Sequence, residues 1–192
     1  MPAEEVQEQG RAGALDVKRW LESTMRFDLP YDVYTNTVRT TLRRLDGSDK
    51  RFDLSGQHYD ERYDNPRQIY VEVKNVTTDS GLSSEWLDFV ASAYSATHHL
   101  WELGRDPELQ FMFASTHAWS SSLYWKMTEP ESVLAACKSR PDLMPEGGPD
   151  EGRVRTLTER LFLWVVSRRQ DDMTMAKRFR GLVLAKIAEE ES

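Results

Sequence analysis

Two stretches decide the fold of this chain, Gln68-Ile-Tyr-Val-Glu-Val-Lys-Asn-Val76 and Arg51-Phe-Asp-Leu-Ser-Gly56. In the first stretch, aliphatic residues at every second position alternate with Tyr70, Glu72 and Lys74. A period of two predicts a strand with one face in the core. The carboxylate of Glu72 and the amine of Lys74 should therefore lie side by side on the other face.

The second stretch alternates in the same way and predicts another strand. Phe52 and Leu54 are expected on its core face, and Asp53 is expected on the opposite face. If the two strands are neighbours in one sheet, Asp53 meets Glu72 and Lys74 on a single patch.

Length and composition limit the classes of protein. A chain of 192 residues suits one domain with a sizeable core, and no apolar run reaches the length of a membrane span. The acidic start Met1-Pro-Ala-Glu-Glu-Val6 does not resemble a signal peptide. The single cysteine, Cys137, excludes an intrachain disulfide and a zinc cluster made of cysteines. We expect a soluble, cytoplasmic protein with no membrane partner.

The net charge of −7 is unfavourable for a nucleic-acid-binding protein, because phosphate binding is mostly electrostatic. Two basic clusters oppose this charge: Arg39, Arg43, Arg44, Lys50 and Arg51, and then Arg168, Arg169, Lys177, Arg178 and Arg180. Both clusters suit either phosphate contacts or ordinary solvated faces. The sequence has no glycine-rich loop of the kind that binds nucleotide phosphates.

Periodicity and turn chemistry predict the order of elements. The first half should contain a helix over residues 12–25, a strand over 33–45, a turn at 46–49, the strand with Asp53, a loop over 57–67 and the strand with Glu72. The second half should contain a helix over 84–103 capped by Ser83, a strand over 110–115, a helix over 128–138 opened by a capping box at Thr128, a loop over 140–152, and helices over 154–166 and 173–188.

The predicted patch suits phosphodiester hydrolysis. Mg²⁺ and Mn²⁺ prefer oxygen ligands, so Asp53, Glu72 and the backbone carbonyl of Val73 form a fitting set. Lys74 could orient an attacking water or stabilise charge in the transition state. Four other acids compete for the role of first metal ligand: Asp46, Asp49, Asp60 and Glu61. The first two suit a turn and the last two suit a loop, which leaves Asp53 as the best candidate.

An Asp on one strand followed by Glu-x-Lys on the next, here Asp53 and Glu72-Val-Lys74, resembles the PD-(D/E)xK, or restriction-endonuclease-like, nuclease superfamily. The predicted order helix, three strands, helix, strand is also the order of that superfamily's core. The resemblance implies an α/β fold with a mixed central sheet over residues 1–126 and a helical C-terminal extension over residues 127–192. It also implies the metal and catalytic roles given above for Asp53, Glu72 and Lys74.

The resemblance implies a divalent-metal-dependent nuclease that uses Mg²⁺ or Mn²⁺, and we expect its substrate to be DNA rather than RNA. Restriction, phage defence and DNA processing are the settings in which such small nucleases occur, and association with the superfamily favours defence or restriction. The acidic charge and the lack of a recognition module favour a homo-oligomer or a subunit of a larger complex, in which a partner supplies specificity.

One part of the superfamily pattern is missing. Many members carry a metal-associated Glu on the first helix, and Ala14 stands where that Glu is expected. Asp16 or Glu22 could substitute from another turn, although both suit an exposed helix face. This departure keeps open a second interpretation, a catalytically inactive nuclease-like fold that serves as a binding or assembly subunit. A Glu-x-Lys pair such as Glu72 and Lys74 is also common on exposed strand faces.

Overall fold

The structure, a computed structural model, describes residues 3–78, 80–118 and 124–166 and four isolated positions, 179, 181, 182 and 186. Its elements follow in the order α1 (Ala3–Thr24), β1 (Phe27–Asp32), β2 (Thr41–Arg43), β3 (Asp49–Arg51), β4 (Leu54–His58), β5 (Arg67–Lys74), α2 (Leu82–Glu102), β6 (Gln110–Ser115), α3 (Pro130–Lys138), α4 (Glu151–Thr158) and β7 (Leu161–Val165). Short 3-10 turns, Tyr124–Lys126 and Pro141–Leu143, lie on either side of α3. The predicted mixed α/β class is confirmed, with four helices in the described part of the chain.

Five strands form one mixed sheet in the order β1-β4-β5-β6-β7. Strands β1, β4 and β5 pair antiparallel, whereas β6 runs parallel to β5 and β7 parallel to β6. Strands β2 and β3, which come between β1 and β4 in the sequence, form a separate two-stranded hairpin. Because β5 is the middle strand, side chains at its carboxyl end have neighbours on both sides.

Helices cover both faces of the sheet. Helix α1 contributes Leu21 to one core, which also holds Val71 of β5. Helix α2 contributes Phe89 to the other core, which holds Phe113 of β6 and is extended by residues of α3 and α4. Full burial of one such side chain stabilises a fold by about 1.5–3 kcal/mol, so the two cores hold the helices and the sheet together as three layers.

The alternation of the first stretch is confirmed in β5, but the predicted polar face is not exposed. Ile69 and Val71 pack toward α1, and Tyr70 packs toward α2 on the opposite face. Glu72 lies on the same face as Tyr70 and is 7% exposed. The prediction that only one face of this strand lies in the core was wrong, because helices cover both faces of the sheet at β5.

The predicted strand over residues 33–45 was wrong in its position. The strand that pairs with β4 is β1, which contains Pro30 and lies at the edge of the sheet, where a missing N–H is tolerated. Asp32 then turns the chain, because its Oδ1 accepts hydrogen bonds from the amides of Tyr34 and Thr35 at 3.0 and 2.9 Å. Only residues 41–43 of the predicted strand are extended, as β2.

The hairpin around residues 46–49 is confirmed, and β2 and β3 flank it. The strand predicted over residues 51–56 is instead interrupted by a bend at Asp53 before β4 begins. Phe52 packs in the core under α2, and Leu54 packs in the core under α1. The two residues therefore lie on opposite faces of the sheet, and the prediction that they share a face was wrong.

Several predicted helix limits were also wrong. Helix α1 begins at Ala3, nine residues before the predicted start at residue 12. Helix α2 begins at Leu82 after Gly81, which has φ 84° and replaces Ser83 as the cap. Helix α3 begins at Pro130, so Thr128 opens no capping box there. Proline at the first helical position is favoured because its φ is already close to the helical value.

The prediction of one helix over residues 154–166 was wrong. Helix α4 ends at Thr158, and Leu161-Phe-Leu-Trp-Val165 forms β7 alongside β6. A short apolar run has the same appearance in a helix and in a parallel strand, so periodicity alone could not decide. The predicted C-terminal extension thus contributes a strand to the sheet. The helix predicted over residues 173–188 lies outside the described residues except for the isolated positions 179, 181, 182 and 186.

No helix among the described residues is both long enough and apolar enough to span a membrane.

Helix α1 makes a close contact with the chain immediately after β5. A Cβ atom on Gly13 would lie 2.4 Å from the Cβ of Asn75. The side chain of Asn75 donates a hydrogen bond to the carbonyl of Gln9 at 2.9 Å, and Gln9 donates one to the carbonyl of Asn75 at 3.4 Å. This contact places α1 beside the carboxyl end of β5.

We predict that Gly13→Ala lowers the free energy of unfolding by about 1–3 kcal/mol, because the new methyl group forces α1 away from Asn75. Gly10→Ala on the same helix is the matched control. Its Cβ would lie 3.0 Å from the hydroxyl of Tyr34, the far end of a side chain, and alanine favours the helix, so we expect a change below about 1 kcal/mol. Urea unfolding measures both variants, and equal losses would contradict the prediction.

Candidate active site

The bend before β4 brings Asp53 against β5. Its Oδ2 accepts a hydrogen bond of 2.7 Å from the backbone amide of Val73. Leu54 pairs with Val71, so Asp53 stands opposite Glu72 at the point where the ladder between β4 and β5 stops. Burial and, after it, the negative charge of Glu72 raise the pKa of the Asp53 carboxyl, whereas the Val73 amide and the charges of Lys74 and Lys50 lower it, and the net result is a pKa of about 6. The two predicted acids are therefore close neighbours.

Two ammonium groups flank the carboxylate of Glu72. Lys74 Nζ lies 2.9 Å from Oε1, and Lys50 Nζ lies 2.9 Å from Oε2. Oε2 is fully buried and accepts no hydrogen bond within the described structure, so Lys50 reaches it as an ion pair with poor hydrogen-bond geometry. A buried carboxylate is tolerated only when its charge is compensated, and the two lysines supply that compensation.

Lys74 is held between two carboxylates. Besides Glu72, its Nζ lies 2.8 Å from Oε2 of Glu85 in the first turn of α2. Burial disfavours the charged form of Lys74, but the charges and hydrogen bonds of Glu72 and Glu85 outweigh it and raise the pKa of the ammonium above its ordinary value. Lys74 is therefore a cation at neutral pH and not a proton acceptor.

The oxygen atoms at the carboxyl end of β5 fit a hard divalent cation. Asp53 and Glu72 supply carboxylates, and the Glu72 Oε2 atom is buried without a hydrogen bond. The carbonyl of Val73 points toward the same neighbouring strand as its amide, which binds Asp53. Mg²⁺ is commonly bound by one or two carboxylates with water in the remaining positions, and this set meets that need. Among the described residues, no group of three or more His, Cys, Asp or Glu side chains forms a metal site.

The alternative acids lie in contacts of their own. Asp16 pairs with Arg19 at 3.3 Å, and Glu22 Oε1 accepts a hydrogen bond from the amide of Leu29 at 3.0 Å. Ala14 is buried in the core under α1. The four other competitors bind near neighbours in sequence or on an adjacent loop: Asp46 with Ser48, Asp49 with Arg43, Asp60 with Arg62 and Glu61 with Arg26. Asp53 differs from these acids in standing opposite Glu72, and its role as first metal ligand stays a prediction.

Three residues of the charged cluster around Glu72, which also contains Asp53 and Lys74, could not be identified from the sequence. In the sequence, Lys50 is one of several cations in a basic cluster, and Glu85 is one of several acids in the segment that forms α2. Tyr34 follows the Asp32 turn, and the charge of Asp53 adds to the effect of burial in raising the pKa of its phenol. No spacing rule identifies these residues, because each lies on a different segment of the chain and the position of that segment depends on tertiary packing.

A cavity of about 760 Å³ lies elsewhere on the molecule. Its wall includes Phe27, His58, Phe162 and Trp164, with His58 at the end of β4 that is remote from Asp53. The rings of Phe27 and His58 are stacked with centroids 4.3 Å apart. Neither predicted carboxylate lines this cavity, so it is separate from the cluster around Glu72.

The raised pKa of Asp53 predicts a pH-dependent cost to stability. The folded protein holds the Asp53 proton more tightly than the unfolded chain, so stability should fall as pH rises from about 4 to about 6 and stay lower above that. Asp53→Asn removes the charge and keeps an acceptor for the Val73 amide. We expect this variant to exceed the wild type by about 1–2 kcal/mol at pH 8, with the gap closing near pH 4.

Urea unfolding at pH 4.5 and pH 8 measures the effect. Asp28→Asn, at an exposed position on β1, is the control for removing one negative charge. A gap that does not change with pH, or an Asp53→Asn variant less stable than the wild type at pH 8, would contradict the assignment of the buried charge.

No protein-family model and no curated protein sequence matches the chain. Among solved structures, a SAVED/CARF-domain containing receptor, Cap4 from Moraxella osloensis, is similar with a TM-score of 0.36 and 10% sequence identity. The match covers 90% of this chain and 36% of the receptor chain, so this chain spans about one third of that protein's length. Similarity at this level supports no conclusion about family or function.

Proposed function

We propose that this protein is a divalent-metal-dependent nuclease of the PD-(D/E)xK type. The observation that carries the proposal is the meeting of Asp53 and Glu72 at the end of the β4–β5 ladder, with the ammonium of Lys74 2.9 Å from Glu72. Paired carboxylates beside a fixed cation are the groups that metal-assisted phosphodiester hydrolysis requires.

The arrangement of elements supports the same proposal. Three antiparallel strands follow α1, helix α2 crosses over, and β6 returns parallel to β5. Apart from the inserted β2–β3 hairpin, this is the order helix, three strands, helix, strand that the superfamily resemblance implies. The restriction-endonuclease-like core over residues 1–126 is part of the proposal.

The proposed chemistry divides among four groups. A bound Mg²⁺ or Mn²⁺ ion would neutralise phosphate charge and lower the pKa of a coordinated water. Asp53, Glu72 and the Val73 carbonyl would hold that ion at the carboxyl end of β5. Lys74, fixed by Glu72 and Glu85, would present its positive charge to the phosphate or orient the attacking water. Because Lys74 is already held in place, little reorganisation would be needed during the reaction.

DNA is the proposed substrate in preference to RNA, and defence or restriction is the proposed setting. The net charge of −7 makes strong unaided binding to a polyanion unfavourable. We therefore propose that the protein acts as a homo-oligomer or within a larger complex whose partner supplies nucleic-acid affinity and specificity.

We predict metal-dependent cleavage in a panel of supercoiled, linear and single-stranded DNA and RNA. We expect the cleavage rate of Asp53→Asn to be at least about 100-fold below that of the wild type, because a metal ligand is lost. We expect a similar decrease for Lys74→Met, because its charge no longer stabilises the transition state. Lys138→Met, at an exposed position on α3, is the charge-matched control and should keep full activity. Cleavage that survives both Asp53→Asn and Lys74→Met would refute the assignment.

A second candidate function is a catalytically inactive nuclease-like fold that serves as a binding or assembly subunit. The specific observation in its favour is that both oxygens of Glu72 already face lysines and that Ala14, on α1, is buried where a further acid is expected. Calorimetric titration with Mn²⁺ separates the two functions. Binding that Glu72→Gln abolishes supports the nuclease, and absent or unchanged binding supports the inactive subunit.

A further inference from the structure

Lys50 belongs to the cluster but comes from outside the main sheet. It lies on β3 of the two-stranded hairpin, and its Nζ reaches Glu72 Oε2 at 2.9 Å. Its positive charge also acts on Asp53, lowering the pKa of that carboxyl against the effect of burial. Lys50 therefore compensates the same two carboxylates that the nuclease proposal assigns to a metal ion.

The two lysines hold Glu72 unequally. Lys74 is shared between Glu72 and Glu85, with short contacts to both. Lys50 faces an oxygen that accepts no hydrogen bond, and its Nζ lies over the ring of Phe52, 5.5 Å from the centroid. Cation–π contact and a poorly aligned ion pair hold an ammonium less firmly than two carboxylates do. Lys50 is thus the cation that a competitor can displace.

The hairpin backbone can stay in place during such a displacement. Arg44 Nη1 donates to Ser92 Oγ at 3.2 Å, and the amide of Leu45 donates to Ser95 Oγ at 3.0 Å, so the hairpin is attached to α2. The lysine side chain has a flexible four-carbon stem. Rotation of that stem alone can remove the ammonium from Glu72.

We propose that Lys50 is an internal counter-cation that a divalent ion must displace from Glu72 Oε2, and that it thereby sets the metal affinity of the site. This inference rests on the proposed function, because it takes Asp53 and Glu72 as metal ligands. Two positive charges cannot share one buried oxygen without strong repulsion, so the ion and the Lys50 ammonium exclude each other there.

Calorimetric Mn²⁺ titration of Lys50→Met tests the proposal, since methionine keeps an apolar stem of similar length without the charge. We expect Lys50→Met to bind Mn²⁺ about ten-fold or more tightly than the wild type. Arg51→Met is the matched control, because Arg51 is the exposed neighbour on the same strand, and its affinity should stay within about two-fold. The double variant Lys50→Met with Glu72→Gln should lose the binding.

The outcomes separate this inference from the nuclease proposal. Binding that depends on Glu72 but is equal or weaker in Lys50→Met overturns the role of Lys50 and leaves the nuclease proposal standing. Binding that is absent or indifferent to Glu72→Gln in every variant overturns both.

Lysine side-chain NMR of the wild-type chain gives a second readout that does not depend on the folding of Lys50→Met. Saturating Mg²⁺ should shift the Nζ signal of Lys50 and leave that of Lys138 unchanged. A Lys50 signal that stays fixed while Mg²⁺ binds overturns the proposed displacement.

Discussion

The burial of one carboxylate, that of Glu72, is the constraint on which the site depends. With 7% of its surface exposed, Glu72 cannot rely on water to stabilise its charge, and uncompensated it would destabilise the fold. Lys50 and Lys74 provide the compensation from two different elements. The hairpin, the middle strand and, through Glu85, the start of α2 are therefore joined at a single charged group.

The same cluster has a structural and a chemical side. As an ion-pair network it neutralises buried charge between layers that otherwise meet through apolar contacts. As a candidate site, it places two acids and a fixed ammonium at the end of the β4–β5 ladder, where the Val73 carbonyl is directed to the same side. The structural role, and the metal-binding role proposed for the cluster, rest on one physical fact: a charge removed from water needs an opposite charge close to it.

Sequence periodicity was most informative where a local pattern and the tertiary environment agree. The alternation of β5 is confirmed, and α2 and β6 lie close to their predicted positions, because alternate residues of β5 and β6 enter the two separate cores. The predictions failed where packing overrode propensity. Pro30 is accepted in an edge strand, and the apolar run of β7 becomes a strand because β6 offers a free edge beside it.

The amino-acid sequence by itself determined the middle strand, the turn of the hairpin and the candidate trio Asp53, Glu72 and Lys74, because alternation and turn chemistry are local properties. Only the tertiary structure decided that Phe52 and Leu54 diverge at the Asp53 bend, that Glu72 is buried, and that Lys50 and Glu85 complete its surroundings. The physical reason is that these contacts join segments distant in sequence, and their geometry is set by how helices cover the sheet and by the need to compensate a charge removed from water.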